Sequence, residues 1–201
     1  MKTAEDTPAI EIVGEHVKGD FTEIERIIFL ETLGQRLQQR EEEYSSDYVF
    51  RLRTLYIKQL NYFIPEPAFA SFLRNLYYKT DTPTSCAVLQ SLPHLQDPAA
   101  HLEYAHEALR SNVTDIFAAL AFYNKYPYQY FSQELFNQMV LKSLFLSLPL
   151  DGIIGLKKRI NPGLKNMVAN YHEELILGNK LVPSGCFQIA NLEVAAGNET
   201  A

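Results

Sequence analysis

The sequence contains no tryptophan and only two cysteines in 201 residues. Cys86 and Cys186 stand a hundred residues apart, so there is no CxxC pair, no zinc-ligand spacing and no disulfide scaffold. Compartment logic reads them as two reduced thiols of a cytosolic protein. Positive charge is not in excess either. Lys and Arg number 18 against 24 Asp and Glu, and the net −6 excludes a basic nucleic-acid binder. Long apolar runs are missing: no window approaches the ~18 apolar residues of a spanning helix. The most apolar stretch, Met139–Leu150, is broken by Lys142, Ser143, Ser147 and Pro149, which suits a buried helix. The first twenty residues are acidic and lack an apolar core, so they do not read as a secretory signal. The glycines form no GxSxG, GxxxxGK[ST] or GxGxxG, and no loop is rich enough in them to cradle phosphate.

What is present is ordinary for a globular protein. Hydrophobic residues make up 47% and charged residues 21%. A chain of this length buries a sizeable core without staples. The acidity belongs to the ends. Residues 1–20 carry a net −3 and residues 181–201 a net −2, leaving −1 for the middle. That distribution implies no steering of a cationic partner. Residues 1–19 show no helical periodicity and are expected to be a flexible acidic tail. Residues 20–180 are expected to form a single helical domain. Residues 181–201 are expected to be a C-terminal extension that lies against the body and then frays.

Helix signals recur along the middle. Asp20 with Glu23 resembles a capping box and opens a helix running to about residue 43. A second helix is expected over about 47–62 and a third over 68–78, separated by Pro65 and Pro67. Thr82-Pro83 and Asp97-Pro98 each place an oxygen before a first-turn proline, opening helices over about 83–91 and 98–110. Another spans about 112–124. Ser132 caps one over about 133–148, and Asn161-Pro162 opens the last, over about 163–177, which Gly178 ends. No stretch alternates with period two. The fold class is therefore all-α, with about eight short helices joined by short connections. Sequential neighbours are expected to pack antiparallel, and a curved stack of helix pairs fits the rhythm, although no repeat period identifies a repeat family.

Chemistry-bearing clusters are sparse. His101 and His106 lie five apart, about 140° around a helix, so they do not form a metal pair and read as surface histidines. His172 has no histidine partner at ligand spacing. No nucleophile–base motif stands out, and neither metal nor cofactor is expected. The segment Phe122–Phe131 is dense in aromatics. It reads as a loop packed over the core, with Tyr126, Tyr128 and Tyr130 as the alternative rim for a planar ligand or a partner protein. On the helix that Ser132 opens, Glu134, Gln138 and Lys142 form a solvated row. Asn137 shares a row with Leu141, Leu144, Phe145 and Leu148. A buried asparagine must pair its amide, so Asn137 is expected to hold a neighbouring loop, with ligand contact the other reading.

The block Asn137-Gln-Met-Val-Leu-Lys142, with Leu144-Phe145, Pro149-Leu150, Ile154-Gly-Leu156, Arg159, Asn161-Pro162 and Leu164, resembles the EboA-type family of metabolite traffic proteins. Asp97-Pro98, Glu107–Asn112, Asp115–Phe117 and Asn124–Pro127 upstream continue the resemblance, as do Met167, Tyr171, Glu174, Gly178 and Lys180 downstream. It covers about residues 85–182. Asn170, Leu175 and Lys79-Thr80-Asp81 depart from the family's pattern. The resemblance brings no catalytic residues. It implies a cytoplasmic accessory protein, in one variant peripheral to the inner membrane, in a system that moves a secondary-metabolite precursor outwards. Other Ebo-system proteins, among them a UbiA-like membrane protein, are the implied partners, with an aromatic small metabolite as the alternative ligand. The candidate binding residues are Tyr126, Tyr128, Tyr130, Asn137, Gln138, Lys142, Arg159, Asn161, Tyr171 and Glu174. Two other readings stay open at this point: an enzyme acting on the metabolite, and a purely structural helical adaptor.

Overall fold

The structure is a computed structural model and describes residues 7–38 and 45–194. Among the described residues there are eleven α-helices, three short 3-10 turns and no strand. The helices are α1 (Thr7–Lys18), α2 (Glu23–Gln38), α3 (Ser46–Phe63), α4 (Ala68–Lys79), α5 (Thr82–Ser91), α6 (Leu102–Arg110), α7 (Thr114–Ala121), α8 (Tyr126–Tyr130), α9 (Gln133–Phe145), α10 (Pro162–Leu177) and α11 (Ser184–Asn191). The chain divides into two compact units, residues 1–119 and 120–201, with the division inside α7. A single body over 20–180 was the expectation.

Three helices exceed the expected eight. Residues 7–18 of the expected tail form α1, because Ala9, Val13 and Val17 make an i, i+4, i+8 stripe that is buried along its length. Residues 1–6 of that tail lie outside the described residues. The expected aromatic loop contains α8, a single turn with Pro127 near its start. The expected C-terminal extension contains α11, whose Gly185 meets Leu144 and Leu150 so closely that a larger residue would displace them. Its end, 195–201, again lies outside the described residues, as does the expected helix end at 39–43.

Capping explains most boundaries. Ser45, Asp81, Ser132 and Asn161 each accept a hydrogen bond from the backbone N–H three residues on. The capping box before α2 is Thr22 with Glu25 rather than Asp20 with Glu23. The Thr22 N–H donates to Glu25 Oε2 at 2.8 Å, and the Glu25 N–H to Thr22 Oγ1 at 3.3 Å. Likewise the cap of α5 is Asp81, one residue earlier than expected. Asp97 stands at the cap position of the turn Pro98–His101 but makes no capping bond.

In the first unit, α3 is the central element and packs against α1, α2 and α5. Its pairings with α1 and α5 skip a helix in the chain, in contrast to the expected sequential pairing. Tyr56, Ile57 and Leu60 of α3 are fully buried. The Arg53 side chain, also buried, reaches back to donate to the carbonyls of Leu30 at 2.9 Å and Glu31 at 3.2 Å. The link from α1 to α2 closes around His16. Its ring stacks on Phe21 and Phe29, each at 3.9 Å, and its Nδ1 pairs with the Tyr56 hydroxyl at 2.7 Å.

In the second unit, α10 packs against both α9 and α11. Phe136, Met139, Val140, Leu144, Leu164 and Val168 supply the core between α9 and α10. The connection between those helices turns at Gly155, whose φ of 79° favours glycine. The Tyr128 ring lies where a Cβ would stand, so conformation and close approach both demand glycine there. No described helix is long and apolar enough to cross a membrane.

Candidate functional site

The short helix α8 leaves carbonyls with no intrahelical partner, and so does the turn after it. Arg159, arriving from the α9–α10 connection, answers that need. Its Nη1 donates to the carbonyls of Pro127 at 3.1 Å and Phe131 at 3.0 Å, with Tyr128 at 3.4 Å. Its Nε donates to Gln133 Oε1 at 3.3 Å, and the guanidinium lies over the Phe136 ring at 4.5 Å. One planar side chain therefore ties the α8 turn, the first turn of α9 and the α9–α10 connection together. Burial lowers the pKa of this guanidinium, with the nearby Tyr128 phenol opposing the shift.

Beside it lies a reciprocal amide pair. Asn137 Nδ2 donates to Asn161 Oδ1 at 3.2 Å, and Asn161 Nδ2 donates to Asn137 Oδ1 at 2.9 Å. Asn137 Oδ1 also accepts from Gln133 Nε2 at 3.0 Å. Asn161 Nδ2 also donates to the Arg159 carbonyl at 3.0 Å, and Asn161 Oδ1 accepts the Leu164 N–H at 2.9 Å. Asn161 is thus both the cap of α10 and the partner of α9. Asn137, 6% exposed, is buried and paired as expected, and it holds a connection in place. Most of the hydrogen-bonding capacity of these two amides is spent inside the protein.

The side chains of the other expected residues do not join this cluster. Tyr126 is fully buried, its ring 4.8 Å from that of Tyr130, so it is not on a rim. Tyr128 is half-buried over Gly155. Gln138 is exposed and reaches Glu134 at 3.5 Å along the helix surface. Lys142 is half-buried, and burial lowers its pKa. Tyr171 meets Phe145 edge-on at 4.5 Å; burial raises its phenol pKa, with Cys186 and Glu174 adding to the rise. Glu174 itself is exposed. None of the ten lines the cleft of the first unit around Glu66, Arg74 and His101, or that of the second around Asp151, Gly155 and Lys157.

Sequence reasoning missed Gln133, although its i, i+4 spacing to Asn137 was a usable signal. It also misjudged His101, which is only 5% exposed because the 3-10 turn before α6 turns its ring towards Phe69 and Tyr104. Both cysteines are buried free thiols. Burial, then Asp115 and Asp81, pushes Cys86 up to about 11, and burial raises Cys186, so neither is an activated nucleophile.

A family model described as "Metabolite traffic protein EboA" matches residues 41–191. No curated protein sequence and no solved structure matches the chain.

Proposed function

Because the chain belongs to the EboA family of metabolite traffic proteins, we propose that it serves that traffic by binding rather than by turnover. In this reading it is a cytoplasmic accessory that holds another Ebo-system protein while a secondary-metabolite precursor moves towards the membrane.

One observation carries the reading. In the second unit the polar side chains of Asn137, Arg159 and Asn161 are engaged with one another, with Gln133 and with main-chain carbonyls, whereas large apolar side chains face outwards. Leu177, at the end of α10, is 87% exposed and Leu181 is 95% exposed. Ile176, Phe145, Leu146 and Phe187 are exposed as well. Exposed apolar surface of this kind marks contact with another protein more often than catalysis.

The test is co-purification with the other Ebo-system proteins, including the UbiA-like membrane protein, expressed beside the chain. Changing Leu177→Asp and Leu181→Asp together is expected to weaken that association by about tenfold or more with the melting temperature unchanged. Unchanged association would sink the proposed surface. Turnover of the pathway metabolite by the isolated protein, abolished by one polar substitution, would sink the non-catalytic role.

A further inference from the structure

The first unit holds a cleft of about 370 Å³ that the partner-binding reading does not use, and the inference drawn from it stands independently of that reading. Glu66, Arg74, Asp97, His101, Glu103 and Tyr104 line it. Its charges are unbalanced. Arg74 Nη2 is paired with Glu103 Oε1 at 3.0 Å, which leaves Glu66 and Asp97 uncompensated. Glu66 Oε2 accepts the Ala70 N–H at 3.2 Å, and the Asp97 carboxylate makes no capping bond and no ion pair among the described residues. Both carboxylates are exposed and belong to the rim.

The floor differs in kind. His101 is 95% buried, its ring contacts are with Phe69 and Tyr104, and its ring makes no hydrogen bond among the described residues. A neutral imidazole holds one donor and one acceptor, and the His101 nitrogens are not among the sealed, unpaired polar atoms of the described residues, so both stay open to a guest. Burial lowers the His101 pKa, against the pull of Glu66, Asp97 and Glu103, and so favours that neutral form. Tyr104 is buried beside it, and burial pushes its phenol up to about 12, so it stays protonated. The cleft therefore presents anionic groups outside and neutral hydrogen-bonding groups inside, a polarity that selects the orientation of a guest. Its volume suits a molecule with a single ring.

We propose that this cleft binds a small metabolite carrying both an ammonium and a hydroxyl group, the ammonium at Glu66 and Asp97 and the hydroxyl at His101.

Tyramine is the probe, added to the full chain with isotope-labelled histidine while the ring resonances are followed by NMR. 4-Ethylphenol lacks the ammonium, and 3-(4-hydroxyphenyl)propionate replaces it with a carboxylate. Saturable movement of the His101 resonances by tyramine is expected, with about tenfold weaker binding of 4-ethylphenol and no binding of the propionate. Asp97→Asn should weaken tyramine severalfold, and its melting temperature should match the parent because the carboxylate is exposed and makes no capping bond. His101→Gln should also weaken it; if that variant fails to fold, Asp97→Asn decides alone. Equal binding of the propionate, tyramine at millimolar concentration leaving His101 unmoved, or wild-type affinity in Asp97→Asn would each overturn the proposal.

Discussion

Each unit contains an arginine that grips main-chain carbonyls instead of carboxylates. In the first unit Arg26, 8% exposed, donates to the carbonyls of His16, Val17, Gly19 and Phe21 at 3.0–3.4 Å. In the second, Arg159 grips those of Pro127, Tyr128 and Phe131. Both sit at a helix end, where carbonyls keep acceptor capacity to spare, and a guanidinium with five donors can serve several of them at once. They differ in company. Arg26 works in an aromatic setting, around the stack of Phe21, His16 and Phe29. Arg159 works beside three amides, Gln133, Asn137 and Asn161. They also differ in place: α1 and α2 precede the residues 41–191 that match the family, whereas every partner of Arg159 lies within them. A block that reads as a motif thus has a mechanical explanation in the second unit, and the same device recurs in the first without any motif.

The largest effect is expected where the grip is deepest. Arg26→Met removes the donors to four carbonyls and should cost about 3–5 kcal/mol in chemical denaturation. Arg26→Lys should rescue little of that loss, because an ammonium lacks the planar fork. A loss below 1 kcal/mol would show that α1 is held by its apolar stripe alone.

The amide lock should be weaker to break. Asn137→Leu leaves Asn161 and Gln133 without their shared partner and should cost about 1–3 kcal/mol. The paired comparison sharpens if Gln133→Leu costs less, since Gln133 is half-buried and water can replace it.

The smallest effect is a pH dependence confined to the first unit. Burial, then the charges of Arg26 and Arg36, lowers the His16 pKa to about 4, against a smaller pull from Glu25. The unfolded chain therefore binds a proton at this site more readily than the folded one, and stability rises with pH. The contribution is whole above about pH 6.5 and is lost as pH falls towards 4. An NMR titration of the His16 ring should show its midpoint well below the ordinary value, and His16→Phe should reduce the fall in melting temperature between neutral and mildly acid pH. A midpoint near 6.5 would mean that the ring is not enclosed as described.

The sequence revealed the helices that begin with a side-chain cap, with a proline after it at Asn161-Pro162 and without one at Ser132, because such caps are written in residue types and both open helices where they were expected. It hid α1, whose buried stripe is one residue wide and starts with alanine, and α8, which is too short to show a period. The burial of Asn137 was legible from its apolar row on α9. The convergence of Arg159 was not, since its acceptors are backbone carbonyls that every residue type carries alike. His101 was misjudged for a related reason: helical spacing was applied to a residue that stands in a 3-10 turn.

The central claim is that Asn137 and its neighbours hold the fold while the exposed apolar residues do the binding. Unfolding free energy and association with co-expressed Ebo-system proteins, measured side by side for Asn137→Leu and for Leu177→Asp, test it most directly. The account predicts that Asn137→Leu lowers stability by about 1–3 kcal/mol while its folded fraction binds normally, and that Leu177→Asp binds poorly at unchanged stability. Unchanged stability with lost association in Asn137→Leu would contradict it.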